Sequence, residues 1–263
     1  MQLPTTDKSQ LGAKMSTCDK IFFLHIPKTA GSAFNDIFKP CVPEARYFEH
    51  MESRRELFET VKGQDAPFFL SEHFAFETAR SLIERTDVFS ISIVREPIPH
   101  LLSHLKWVKY VGSPQYPNHE TTPDQIMDLA RLLVDVSLGD VVALEELLDS
   151  PAGRLLFDNL QVRYLATVTA DTVTNVDLER ARGNARRMSF VFALEDIDRA
   201  VTRLRWHFPR IVALERYNQT PIDERVDFHD PQIWNFYRER TVYDRALYED
   251  VRMWSLANHL SPA

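Results

Sequence analysis

Glycine is scarce in this chain of 263 residues: there are 7, and the closest two, Gly139 and Gly153, lie 14 positions apart. The GxGxxG dinucleotide fingerprint and the GxxxxGK phosphate loop both need glycines within about six positions, so neither can exist here. Rossmann dehydrogenases and Walker-type nucleotide hydrolases are excluded on that ground alone. Cysteine is scarcer still, at 2, and Cys18 and Cys41 supply neither a disulfide framework nor paired zinc-knuckle spacing. Reduced thiols in a cytosolic protein are the expectation. Basic charge is in deficit, with 31 Lys and Arg against 38 Asp and Glu and a formal net charge of −7. A general binder of nucleic acid or anionic membrane needs the opposite balance, although a local basic pocket remains compatible with it. Long apolar runs are missing as well; IFFL and FVFAL fall far short of the ~20 residues of a membrane span. The first 18 residues are polar, lack the apolar core of a secretory signal, and read as a flexible tail before one domain over 19–263.

Along that domain, apolar runs alternate with helical spacing. Residues 21–26 are β-branched and aromatic and predict a strand. PKTAGS then forms a tight loop into an amphipathic helix at 33–38, closed by Pro40 and Pro43. A weak strand is expected at 45–48, a charged helix at 53–61, a buried strand at 67–70 ending at Ser71-Glu72-His73, and a helix at 76–85. VFSISIV at 88–94 is the strongest strand signal, and it runs into Arg95-Glu96-Pro97 and a helix at 98–108. A proline-bearing loop at 112–122 leads to a helix capped by Thr122-Pro123 and reaching about 136, then to helices at 141–148 and 152–165. Asn175 is read as the cap of a helix at 176–188; strand 189–194, helix 196–207, a last short strand at 211–214 and two helices over 230–260 complete the chain.

This alternation predicts an α/β fold of three layers around a central parallel sheet. Such sheets bind ligands beyond the carboxyl ends of their strands. Three strands end in polar clusters, Lys28 to Ser32, Glu72-His73 and Arg95-Glu96, and these should converge on one pocket.

The first cluster, IFFLHIPKTAGSAF, sets a lysine, two hydroxyls and a glycine between a strand and a helix amino terminus. Backbone amides there suit an oxyanion, Lys28 adds a point charge, and Gly31 lets the backbone approach without a Cβ in the way. A capped helix start with an exposed lysine is the plainer alternative. HIPKTAG resembles the 5′-phosphosulfate loop of sulfotransferases that use 3′-phosphoadenosine 5′-phosphosulfate (PAPS), most closely the family of uronyl and heparan sulfate 2-O-sulfotransferases and their bacterial relatives. The resemblance implies a P-loop, nucleotide-kinase-like sulfotransferase fold. It puts the phosphosulfate on Lys28, with Thr29, Ala30, Gly31, Ser32 and Ala33 wrapping the phosphate; many relatives carry a hydroxyl where this chain has Ala33.

SISIVREPIPHLLSH resembles the family's 3′-phosphate element, an arginine ending a strand and a serine on the next helix, here Arg95 and Ser103. The chemistry stands without the resemblance: a guanidinium fork grips a phosphate dianion and a serine adds one hydrogen bond. Glu96 keeps the charge of the aspartate common in the family. A hydroxyl nucleophile must lose its proton as it attacks sulfur, so a base is needed. The family places a histidine at the strand end that corresponds to His73. Glu72 stands where glycine is usual, and offers a second base or a group that orients the imidazole.

Fainter likenesses put Asn159, Gln161 and Arg163 of DNLQVRYLA beside the acceptor, with a helix face making ordinary hydrogen bonds as the equal alternative, and Arg216 and Asn218 of ERYNQTP near the nucleotide. His100 and His104 are spaced like a metal pair but lack the acid of an HExxH arrangement, and sulfuryl transfer uses no metal, so none is expected. The implied activity is transfer of a sulfuryl group from PAPS to the hydroxyl of a glycan or of a small natural-product or lipid alcohol. No nucleic-acid partner and no membrane span are expected. A nucleotide or small-molecule kinase of related fold is one rival, which the missing glycine pair opposes. A non-catalytic relative that binds PAPS or glycan is the other.

Overall fold

The computed structural model describes residues 19–51, 54–170, 172–215 and 220–257. Five strands form one sheet: β1 (Lys20–Leu24), β2 (Tyr47–Phe48), β3 (Phe68–Glu72), β4 (Phe89–Val94) and β5 (Phe190–Ala193), in the order β2-β3-β1-β4-β5. All neighbours are parallel, and β1 lies at the centre with Leu24 opposite Glu72 of β3 and Ser92 of β4. The carboxyl ends of the three central strands therefore open on the same edge.

Both faces of the sheet are apolar, as a parallel sheet covered by helices requires. Phe22, Leu24, Phe68 and Leu70 point to one side. They pack there against α2 (Arg55–Lys62), α3 (Phe76–Ile83), α8 (Leu160–Ala166), α9 (Asn175–Arg187) and α12 (Val242–Ala257). Ile21, Phe23, Phe69, Ile91, Ile93 and Phe192 point to the other, against α1 (Gly31–Asp36) and α10 (Ile197–His207). The result is three layers. A third apolar cluster, beside the sheet, joins α4 (Pro97–Val111), α5 (Asp124–Leu133), α6 (Val141–Leu148), α7 (Pro151–Phe157) and α11 (Pro231–Glu239) around Leu105, Leu144 and Tyr237. Among the described residues no helix is long and apolar enough to cross a membrane.

Four expectations about elements need correction. The helix predicted over 152–165 is two, because Asn159 turns left-handed (φ 47°, ψ 48°) between α7 and α8. Residues 211–214 join no sheet, and Val212 instead donates its N–H to the carbonyl of Ile37. The cap of α9 is Thr174, whose N–H bonds the Asp177 carboxylate at 2.9 Å in a capping box, rather than Asn175. Thr122 does not cap α5, since its hydroxyl turns back to the Asn118 carbonyl and Pro123 takes the cap position. The expected tail, 1–18, lies outside the described residues.

Candidate active site

The loop after β1 is strained and tightly held. Lys28 (φ 67°) and Ala30 (φ 63°) both adopt the left-handed region, which costs a residue with a Cβ roughly 1–2 kcal/mol each. Three hydrogen bonds hold the turn there. Thr29 Oγ1 donates to the Ile26 carbonyl at 2.8 Å, His100 Nε2 donates to the Pro27 carbonyl at 2.8 Å, and Arg95 Nη1 donates to the Lys28 carbonyl at 3.0 Å. Strain of this kind persists only where the surroundings over-determine it, and it concentrates at functional sites.

The last of those bonds sets the electrostatics. It ties the guanidinium that ends β4 to the turn that carries Lys28, so two cationic side chains share one half-buried corner. Burial, reinforced by the charge of Arg95, lowers the Lys28 ammonium to about 8, and burial also lowers Arg95. Lys28 Nζ donates to Thr220 Oγ1 at 3.3 Å, so the described end of the ERYNQTP segment does reach the loop. Glu96 and Glu195 offset part of the charge on Arg95, but each has work of its own: Glu96 pairs with Arg245 at 2.8 Å, and Glu195 accepts the Glu96 N–H at 3.1 Å. An anion seated at this corner would hold Lys28 in its cationic form to higher pH.

His73 follows β3 directly and is half-buried. Its Nδ1 lies 2.8 Å from the carbonyl oxygen of His25. A carbonyl only accepts, so Nδ1 of the neutral ring carries the proton and Nε2 presents the lone pair, which is the tautomer a general base needs. Lys28, Arg95 and His73 thus come from the ends of β1, β4 and β3 to the same sheet edge.

Other candidates sit differently. Glu72 is buried on the face of Phe68 and Leu70, whereas the His73 ring lies tilted against that of His25 on the face of Phe23, so strand alternation parts the two side chains. Thr29 is buried with its hydroxyl turned inward, and Ala33 is buried, so any anion contact there falls to the main chain; Ala30 is exposed and Ser32 and Ser103 are half-buried. A Cβ at Gly31 would strike the ring of His25, so glycine there makes room for that ring.

Asn159, Gln161 and Arg163, expected beside the acceptor, are all buried braces. Gln161 clamps the Arg95 main chain from both sides, accepting its N–H at 2.7 Å and donating to its carbonyl at 2.9 Å. Asn159 Oδ1 accepts the N–H groups of Tyr243 and Asp244 at the start of α12, and the Asp244 carboxylate accepts those of Gln161 and Val162 in the first turn of α8. Arg163 donates to the carbonyls of Asp158 and Ala170. Arg216 and Asn218 lie outside the described residues. His100 and His104 do not form a metal pair with a third ligand: no group of three or more His, Cys, Asp or Glu among the described residues could hold an ion. Sequence reasoning missed His25 and Thr220; the former opens the HIPKTAG motif itself, so its place at the end of β1 was a usable signal.

No family model and no curated protein matches the chain.

Proposed function

We propose that the chain is a PAPS-dependent O-sulfotransferase with a P-loop, nucleotide-kinase-like fold. One observation carries this reading: the Arg95 guanidinium bonds the main chain of Lys28, at the sheet edge where His73 holds its Nδ1 proton against a carbonyl. The donor set fits a nucleotide with two anionic ends, since two half-buried cations destabilise each other until a counter-charge arrives. Lys28 and the amides of 29–33 would hold the 5′-phosphosulfate, and Arg95 with Ser103 the 3′-phosphate.

The acceptor is a hydroxyl on a glycan or on a small natural-product or lipid alcohol. Its oxygen attacks sulfur in line while His73 Nε2 takes the hydroxyl proton. The new S–O bond forms as the bond to the phosphate oxygen breaks, and adenosine 3′,5′-bisphosphate leaves with both electrons of that bond. Lys28 stabilises the charge that gathers on the bridging oxygen, the kind of preorganised electrostatics that supplies most of the catalysis in such sites. The leaving phosphate is a weak base, so no general acid is needed.

Replacing His73 by alanine tests this against a pure binding module. An enzyme should lose about 10²–10⁴ in turnover, read as adenosine 3′,5′-bisphosphate released from PAPS, while nucleotide affinity stays. Unchanged turnover would remove His73 as the base.

A further inference from the structure

His25 stands between the phosphate loop and His73, and the transfer scheme gives its side chain no part. The ring is 5% exposed and lies almost parallel to Phe23, with centroids 5.2 Å apart and planes at 15°. On one side the His73 ring is 4.2 Å away, centroid to centroid. On another side is Gly31, where an added Cβ would fall 1.8 Å from Nε2, 2.1 Å from Cδ2 and 2.2 Å from Cε1. Backbone conformation does not demand glycine at 31, because no described glycine has a positive φ. Space demands it: the imidazole fills the volume that a side chain at 31 would occupy. Burial, with His73, His50 and Lys28 adding to it, keeps the His25 pKa well below the ordinary imidazole range.

We propose that His25 is a positioning residue, an imidazole wedge that sets the spacing between the phosphate loop at Gly31 and the ring of His73. Its main-chain carbonyl fixes the tautomer of His73, and its side chain fixes where that ring sits relative to the loop. Displacement of Gly31 is passed to His73 through direct ring contact, since close-packed groups leave no slack to absorb it. The functional meaning rests on the sulfotransferase reading of loop and base; the contact itself does not.

A double-mutant cycle on the full chain decides it: wild type, Gly31→Ala, His25→Ala and both together. The readouts are the thermal midpoint and the ¹³C and ¹⁵N resonances of the His73 ring. Gly31→Ala alone is expected to lower the midpoint by about 5 °C, as overpacking does in a domain of this size, and to displace the His73 resonances. In the His25→Ala background the same substitution should do neither, because the wedge is gone. Equal effects of Gly31→Ala in both backgrounds would overturn the proposal. His25→Phe keeps a flat ring in the slot and should bring the His73 resonances back towards wild type. Recovery of the midpoint with those resonances left as in His25→Ala would also overturn it. The cycle uses no nucleotide, so an unresponsive wild-type protein in adenosine 3′,5′-bisphosphate titrations would remove the sulfotransferase reading and leave the wedge to its own test.

Discussion

Lys28 has to keep a charge where burial and a neighbouring guanidinium both oppose it, and its proton is lost at about pH 8 instead of near 10.5. Between pH 7 and 8 the ammonium is mostly present and affinity for a bisphosphate should be nearly flat. Above pH 8 the ligand-free protein must first regain a proton, so affinity should fall by up to about tenfold per pH unit until the proton is lost from the complex too. Calorimetric titration with adenosine 3′,5′-bisphosphate from pH 7 to 9.5 checks this, and Lys28→Met should flatten the curve at a weaker level. Ala30 carries backbone strain of the same kind as Lys28. It is exposed and left-handed, so Ala30→Gly should relieve strain and raise stability by up to about 1 kcal/mol in denaturant melts. These residues were partly legible in the sequence. Lysine, arginine and histidine at strand ends are chemistry that a linear reading can locate. That Thr29 spends its hydroxyl on Ile26, or that Gly31 makes room for His25, depends on side-chain directions that spacing does not encode.

Elements α8 and α12 cap each other, and that exchange reaches the site through Gln161. Asp244 is buried, and burial raises its carboxyl to about 7 despite the amides that favour its ionised form. The folded protein therefore keeps this proton over a range, about pH 4 to 7, in which the unfolded chain has released it. Stability must then fall as pH rises through that window, at no more than about 1.4 kcal/mol per pH unit from this one group. Asp244→Asn should remove that component of the slope in urea melts between pH 4.5 and 7.5. Gln161→Met, close in volume but unable to pair with the Arg95 main chain, should cost about 1–3 kcal/mol and loosen the guanidinium's aim. A drop in bisphosphate affinity larger than the drop in AMP affinity would show that loss of aim. The sequence pointed to Asn159, Gln161 and Arg163 as polar groups of importance but left them between the acceptor and an ordinary hydrogen-bonded helix face. Their burial is a tertiary fact: Asn159 and Gln161 share a helix–helix seam with α12, where Asp244 lies 83 residues along the chain from Gln161. The break at Asn159 was hidden for a similar reason, since apolar spacing continues across it while the left-handed residue answers to the cap it makes on α12.

For the whole molecule, the sheet was the most legible part. Short runs rich in β-branched and aromatic residues suit a parallel sheet buried on both faces by helices; β4 and β5 fall within the segments that predicted them, while β1 starts one residue early and β3 runs two residues past its predicted end. The segment at 211–214 has similar composition but meets Ile37 instead of a strand edge, so composition alone misled there. The overall charge of −7 also bears on function, because it disfavours a long polyanionic acceptor and leaves cationic character to the local corner of Lys28 and Arg95. That corner is probed most directly by comparing thermal midpoints in adenosine 3′,5′-bisphosphate, AMP and ATP at equal concentration. At about a hundred times its dissociation constant the bisphosphate should add roughly 2.7 kcal/mol, or about 5–10 °C, and AMP should add much less for want of a second phosphate. Arg95→Ala should erase the difference between the two. A shift led by ATP, or one equal for AMP and the bisphosphate in the wild-type protein, would contradict the claim that these two cations grip opposite ends of one nucleotide.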